Sequence, residues 1–103
     1  SLNKAQKINP KNSESYILKS NIYIKLSKLQ NAKDALETAL SIESNNYKTI
    51  FQLGNILLIE KNYSEAIKLF DQSINIKPDF WPAINNKGLA YFEKNKVNLS
   101  IIV

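Results

Sequence analysis

The sequence aligns with itself when shifted by 34 residues, and this internal period restricts the fold more than any other property of the chain. The shift places Tyr16, Ile50 and Ile84 in one column, Ser20, Gly54 and Gly88 in the next, and Tyr23, Leu57 and Tyr91 after them. Later columns hold Leu29, Tyr63 and Val97, then Ala32, Ala66 and Ser100, then Leu2, Leu36 and Phe70. Residues 13–46 and 47–80 read as complete units and 81–103 as the opening of a third. Residues 1–12 read as the end of an earlier unit, because Ala5, Ile8 and Pro10 fall on Ala39, Ile42 and Ser44 and on Ser73, Ile76 and Pro78. Units this short cannot each enclose a core, so neighbours must stack to bury their apolar faces.

Inside a unit the apolar spacing is helical. Tyr16, Ser20 and Tyr23 share one helix face at steps of four and three, as do Ile50, Gly54 and Leu57. The small residue in each stripe lets a second helix approach closely. Asn62 followed by Glu65 reads as a capping box, with Ser27 and Gln30 as a similar start one unit earlier. Pro82 suits a first helical turn, whereas Pro10 and Pro78 follow helices and stop them. These signals predict helices over 2–8, 14–26, 29–42, 48–60, 63–76 and 82–94, a short start after Val97, and no strand.

The columns resemble the tetratricopeptide repeat (TPR), with its aromatic, Leu-Gly, Tyr, Ala, Phe and Pro at fixed spacing. The second unit matches best, through Leu53-Gly54, Asn62-Tyr63-Ser64-Glu65-Ala66, Phe70 and Pro78. Lys19 and Lys87 depart from the family's Leu and Ser100 from its Ala, which predicts looser packing in the first and third units. The resemblance implies an all-α fold of antiparallel helix pairs stacked as a right-handed superhelix, an α-solenoid of about three repeat equivalents. It also implies a non-catalytic protein–protein interaction scaffold, with the first helix of each pair lining a concave groove.

On that implied groove the inward stripes are Ile17, Asn21 and Ile24 flanked by Leu18 and Lys25, then Phe51, Asn55 and Leu58 flanked by Gln52 and Ile59. The third unit supplies Asn85, Leu89 and Phe92 flanked by Asn86 and Glu93. Asn21 and Asn55 share a column, as do Gln52 and Asn86; amides donate and accept, so they suit the backbone of an extended peptide. The arrangement is similar to the asparagine ladder of TPR domains in glycosyltransferases and motor adaptors. The expected peptide-binding residues are Ile17, Asn21, Lys25, Lys48, Phe51, Gln52, Asn55, Ile59, Asn85, Asn86 and Leu89. Ile24, Leu58 and Phe92 are expected to pack between units instead, and Trp81 to pack at a unit boundary. The carboxylate clamp of chaperone-binding members would fall on Ile17, Asn21, Gln52, Pro82 and Asn86. Only Asn21 is of the required type, and a clamp begun one unit later meets Phe51 where Lys is needed.

Composition removes other functions. Cys and His are both absent, which excludes thiol nucleophiles, imidazole bases, the usual zinc ligands and disulfides. No Gly-rich phosphate loop or paired carboxylate constellation appears, and no cofactor is expected. The net charge is +5, carried entirely by Lys. Arg, the better fork for phosphates and bases, is missing and no aromatic residues interleave the lysines, so RNA or DNA is not the expected partner. The longest apolar run, Ile56-Leu57-Leu58-Ile59, is far short of the roughly 20 residues of a membrane span. Ser1-Leu2-Asn3-Lys4 shows neither Met nor a signal peptide, which fits a segment of a longer, cytoplasmic protein. Leu2, Ala5 and Ile8 at one end and Val97, Ile101 and Ile102 at the other are expected to leave apolar faces open. They raise an alternative role as a spacer or head-to-tail self-association segment.

Overall fold

The computed structural model describes residues 13–102, with side chains described for 13–96. Five helices follow one another: α1 (Ser13–Lys25), α2 (Leu29–Ile42), α3 (Tyr47–Ile59), α4 (Tyr63–Ile76) and α5 (Trp81–Ile102). Among the described residues there is no strand. The first four helices lie within one residue of the predicted spans, and the helix expected over 2–8 lies outside the described residues. So do the side chains of both expected end faces.

The core is divided between two clusters, each built around a second helix held between two first helices. Ile17 of α1, Ala32 and Leu36 of α2, and Leu53 and Ile56 of α3 form one cluster. Ala66, Ile67 and Phe70 of α4 join Ala83 and Ala90 of α5 in the other, with Phe51 and Leu57 of α3 packed against it. Leu36 and Phe70, at the same place in successive units, are fully buried. Removing apolar area of this size from water stabilises by roughly 1.5–3 kcal/mol per side chain. Phe70 depends on Gly54: a Cβ on that glycine would stand 2.6 Å from the ring. Gly88 occupies the same column, yet nothing lies within 4 Å of the equivalent position.

That difference reflects the main departure from the sequence reading. α5 runs unbroken to Ile102, where a helix ending at 94 and a new start after Val97 were expected. In the first two units the turn between paired helices places Ser27 at φ 61° and Lys61 at φ 65°. Each turn is closed by backbone donors: Lys28 to the Tyr23 carbonyl at 2.8 Å and Asn62 to the Leu57 carbonyl at 2.8 Å. Holding a non-glycine residue in the left-handed region costs about 1 kcal/mol. Burial of Leu36 or Phe70 on the following helix offsets that cost. In the third unit Asn95 of the matching column stays helical and α5 continues through it.

The predicted caps are also corrected. Asn62 stands at the N-cap of α4 but makes no side-chain cap bond, and Lys28, not Ser27, precedes α2. Backbone closure of the preceding turn positions these starts instead. The side chain that does cap is Asn46, which accepts from the Lys48 amide at 3.0 Å. Lys87, expected to loosen the third unit, reaches Asp71 of α4 at 2.6 Å. The hydrogen bond to that carboxylate raises the Lys87 pKa above its ordinary 10.5. The pair therefore supports the fold below that value and ceases to do so as the pH rises through the raised one. A second ion pair, Lys33 to Glu60 at 2.9 Å, joins α2 to the end of α3.

Three substitutions test this packing. Gly54→Ala should lower the melting temperature, because overpacking against Phe70 costs about 1–3 kcal/mol. Gly88→Ala, with open space above it, should raise stability by about 0.5–1 kcal/mol through helix propensity alone. Lys61→Gly should stabilise by about 0.5–1 kcal/mol by relieving the left-handed turn, read by denaturant unfolding.

Candidate peptide-binding groove

Because each second helix is enclosed by two first helices, α1, α3 and α5 are left as neighbours on the other side of the stack. Residues from these three helices alone line an open trough of about 430 Å³: Asn21, Ile24, Lys25, Gln52, Asn55, Leu58, Ile59 and Asn86. Four amides cross it in a single chain. Asn86 Nδ2 donates to Asn55 Oδ1 at 2.5 Å, Asn55 Nδ2 to Gln52 Oε1 at 3.4 Å, and Gln52 Nε2 to Asn21 Oδ1 at 2.8 Å. The bonds between helices span 31 residues, so each joins one helix to the residue one turn earlier in the next unit. All three point the same way, from α5 towards α1.

All four amides are half-buried, which strengthens the bonds relative to water and fixes the side chains before any ligand arrives. An amide has two N–H groups and two carbonyl lone pairs, and each bond in the chain uses one of each. Every member therefore retains capacity to pair with a ligand without breaking the chain. Ile24, Leu58 and Ile59 add an apolar surface beside it, and the charge among the lining residues is that of Lys25.

The trough gathers six of the eleven residues expected there: Asn21, Lys25, Gln52, Asn55, Ile59 and Asn86. Asn85 and Leu89 are exposed on α5 but do not line it. Ile17 does not face the trough; it is 5% exposed and packs among Ala32, Leu36, Leu53 and Ile56. Phe51 is half-buried and committed to aromatic packing, edge-on to Phe80 at 5.1 Å and tilted against Phe70 at 5.9 Å. Lys48 stands elsewhere, 3.7 Å from Glu14, beside a separate hollow with Asn46 and Ile76.

Of the three residues expected to pack between units, two do so while also bordering the trough, and one is exposed. Ile24 and Leu58 rest one edge on the core and turn the other to the trough, while Phe92 of the same column is 62% exposed. Helical periodicity identifies an apolar arc but not which of its edges is covered. Trp81 is 66% exposed, and its neighbour Phe80 does the packing, 4.8 Å from Tyr47.

The tetratricopeptide-repeat family model matches residues 23–90. A BBSome complex member BBS4 homolog of Drosophila melanogaster is 33% identical over 95 residues, 91% of this chain and 20% of that protein. Neutrophil cytosol factor 2 of Homo sapiens is 30% identical over 69 residues, 67% of this chain and 13% of that protein. The chain thus spans about a fifth or less of the length of these relatives. Among solved structures, MamA superimposes with a TM-score of 0.78 at 25% identity, covering 97% of this chain and 55% of that one. The first TPR of Spaghetti (RPAP3), bound to the HSP90 peptide SRMEEVD, gives a TM-score of 0.76 at 18% identity, covering 86% of this chain and 71% of that one.

Asn55, like Gln52, both donates and accepts in the amide chain, so Asn55→Ala removes two of its three bonds. The expected result is a shift of the Gln52 and Asn86 side-chain amide resonances. Because the bonds are half-exposed, the loss of stability should stay near 1 kcal/mol.

Proposed function

The chain belongs to the tetratricopeptide-repeat family, and from that premise we propose that it binds an extended peptide segment of a partner protein in the trough across α1, α3 and α5. TPR repeats serve in general as non-catalytic interaction modules, which supports a scaffold role. The observation that carries the reading is the amide chain Asn86–Asn55–Gln52–Asn21, bonded through and facing an open trough. Such a row supplies donors and acceptors to a peptide backbone irrespective of its side chains, while Ile24, Leu58 and Ile59 offer apolar contact.

The structural relative that holds an HSP90 peptide supports the view that this fold accommodates a peptide ligand. The clamp chemistry is not carried over. Of its expected places, Ile17 is buried and Pro82 and Asn86 carry no charge. The lysines support no nucleic-acid reading either, because Lys33, Lys48, Lys68, Lys77, Lys87 and Lys96 each pair with a carboxylate.

The test is selection from a displayed random-peptide library, followed by mapping of the selected peptides by side-chain amide and methyl NMR. Binders should perturb Asn21, Gln52, Asn55 and Asn86, and Asn55→Ala should weaken them about tenfold. Perturbations confined to α2 and α4, or affinity indifferent to Asn55→Ala, would refute the groove.

A further inference from the structure

We propose that the α1 end of this trough is an anion subsite, and that the peptide it takes carries an Asp or Glu side chain there, between Asn21 and Lys25. The proposal rests on the groove reading above and adds the chemistry of the ligand to it.

The direction of the amide chain is the first argument. With all three bonds running from α5 to α1, the amide dipoles align and polarise one another. At the α1 end the Asn21 carbonyl already accepts from Gln52, and its amino group meets no acceptor among the described residues. At the α5 end the amino group of Asn86 is engaged and its carbonyl oxygen accepts from no described donor. One end of the row therefore offers hydrogen to a ligand and the other offers lone pairs.

Lys25 is the second and independent argument. It stands four residues after Asn21, one turn along the same helix, and lines the same trough. No carboxylate among the described residues lies within ion-pair distance of it, in contrast to six other lysines. The lining contains no carboxylate at all, so the trough has one charge, positive, at its donor end. An acidic side chain satisfies both groups at once, accepting from the Asn21 amide and pairing with the ammonium. The methylene stem of that side chain has Ile24 to lie against.

A side-chain carboxylate fits better than the carboxy terminus of a peptide. A terminal carboxylate is held close to the peptide backbone and draws on several cations, whereas Ile17 and Leu18, one turn before Asn21 on α1, supply none. A single Lys on a flexible stem suits an acid that itself extends from the chain.

The probe is an array of ten-residue peptides, N-acetylated and C-amidated, made in pairs that differ only by Glu→Gln at one position, with a third copy of each Gln peptide ending in a free acid. The array is read with the native chain, with Lys25→Gln and with Asn55→Ala. The Glu member of the binding pairs should be favoured about three- to fivefold, the range of an exposed charge pair. The preference should disappear in Lys25→Gln, which still binds, and should shrink in 1 M salt. Equal binding of Glu and Gln members, a preference that survives Lys25→Gln, or a Lys25-dependent gain from the free acid alone would each overturn the subsite. Those results would leave the groove standing provided Asn55→Ala weakens both members. Binding unaffected by Asn55→Ala, or no binding to the array, would remove the groove and the subsite together.

Discussion

The close approach of Phe70 to Gly54 shows the constraint on which the rest of the structure depends. A helix pair has one interface of its own, yet its second helix carries apolar residues on two sides. Leu36 and Phe70 fill the interior of the pair, while Ala32 and Ala66 share their clusters with Ile56 and Ala90 of the following first helix. The second helix is therefore satisfied only when a first helix from the next unit covers it. Repeating that demand sets α2 and α4 between first helices and leaves α1, α3 and α5 side by side. The trough is a consequence of stacking before it is a site.

The same stacking gives the amide chain its spacing. Neighbouring first helices are offset by one repeat, so a residue on one meets the residue one turn earlier on the next. Asn21 meets Gln52 and Asn55 meets Asn86 by the same step, and the i,i+3 contact of Gln52 with Asn55 joins the two links. The row stops where the columns change character, at Leu18 and Leu89, which are 61% and 46% exposed. Four amides in this arrangement are held by one another, so a peptide meets side chains whose rotamers are already restricted. For the peptide proposed above, that restriction would lower the entropy lost on binding.

The fold was legible because its signals recur. Four of the five helices could be placed to within a residue from columns seen two or three times. Within the groove the amides were legible for the same reason, since Asn21 with Asn55 and Gln52 with Asn86 repeat at the period. The aliphatic and aromatic positions were not. Ile17 and Ile24 lie on the same broad arc, and which edge of the arc is covered depends on how far α3 rotates about its axis, a tertiary quantity with no local trace. Phe51 was drawn from the groove by Phe70 and Phe80, two partners distant in sequence. Asn95 makes the same point for backbone. It tolerates the left-handed region better than Ser27 or Lys61 do, yet it remains helical, so residue type alone does not set the turn.

Charge follows the same rule of placement over composition. A balance of +5 suggests a generally cationic surface, but much of it is spent at the seams of the stack. Lys33 and Lys87 tie successive units together through Glu60 and Asp71, and Lys48 answers Glu14 across α1 and α3. Exposed pairs like these contribute little each, but they remove cations from any ligand's view. Lys19 lies over the Tyr16 ring, 5.6 Å from its centroid, outside the trough. What a ligand in the trough meets is then a neutral amide row, an aliphatic edge and the single ammonium of Lys25. One unopposed charge beside aligned dipoles contributes more to orientation than to affinity, because reversing the peptide would bring its acid to the lone pairs of Asn86 instead.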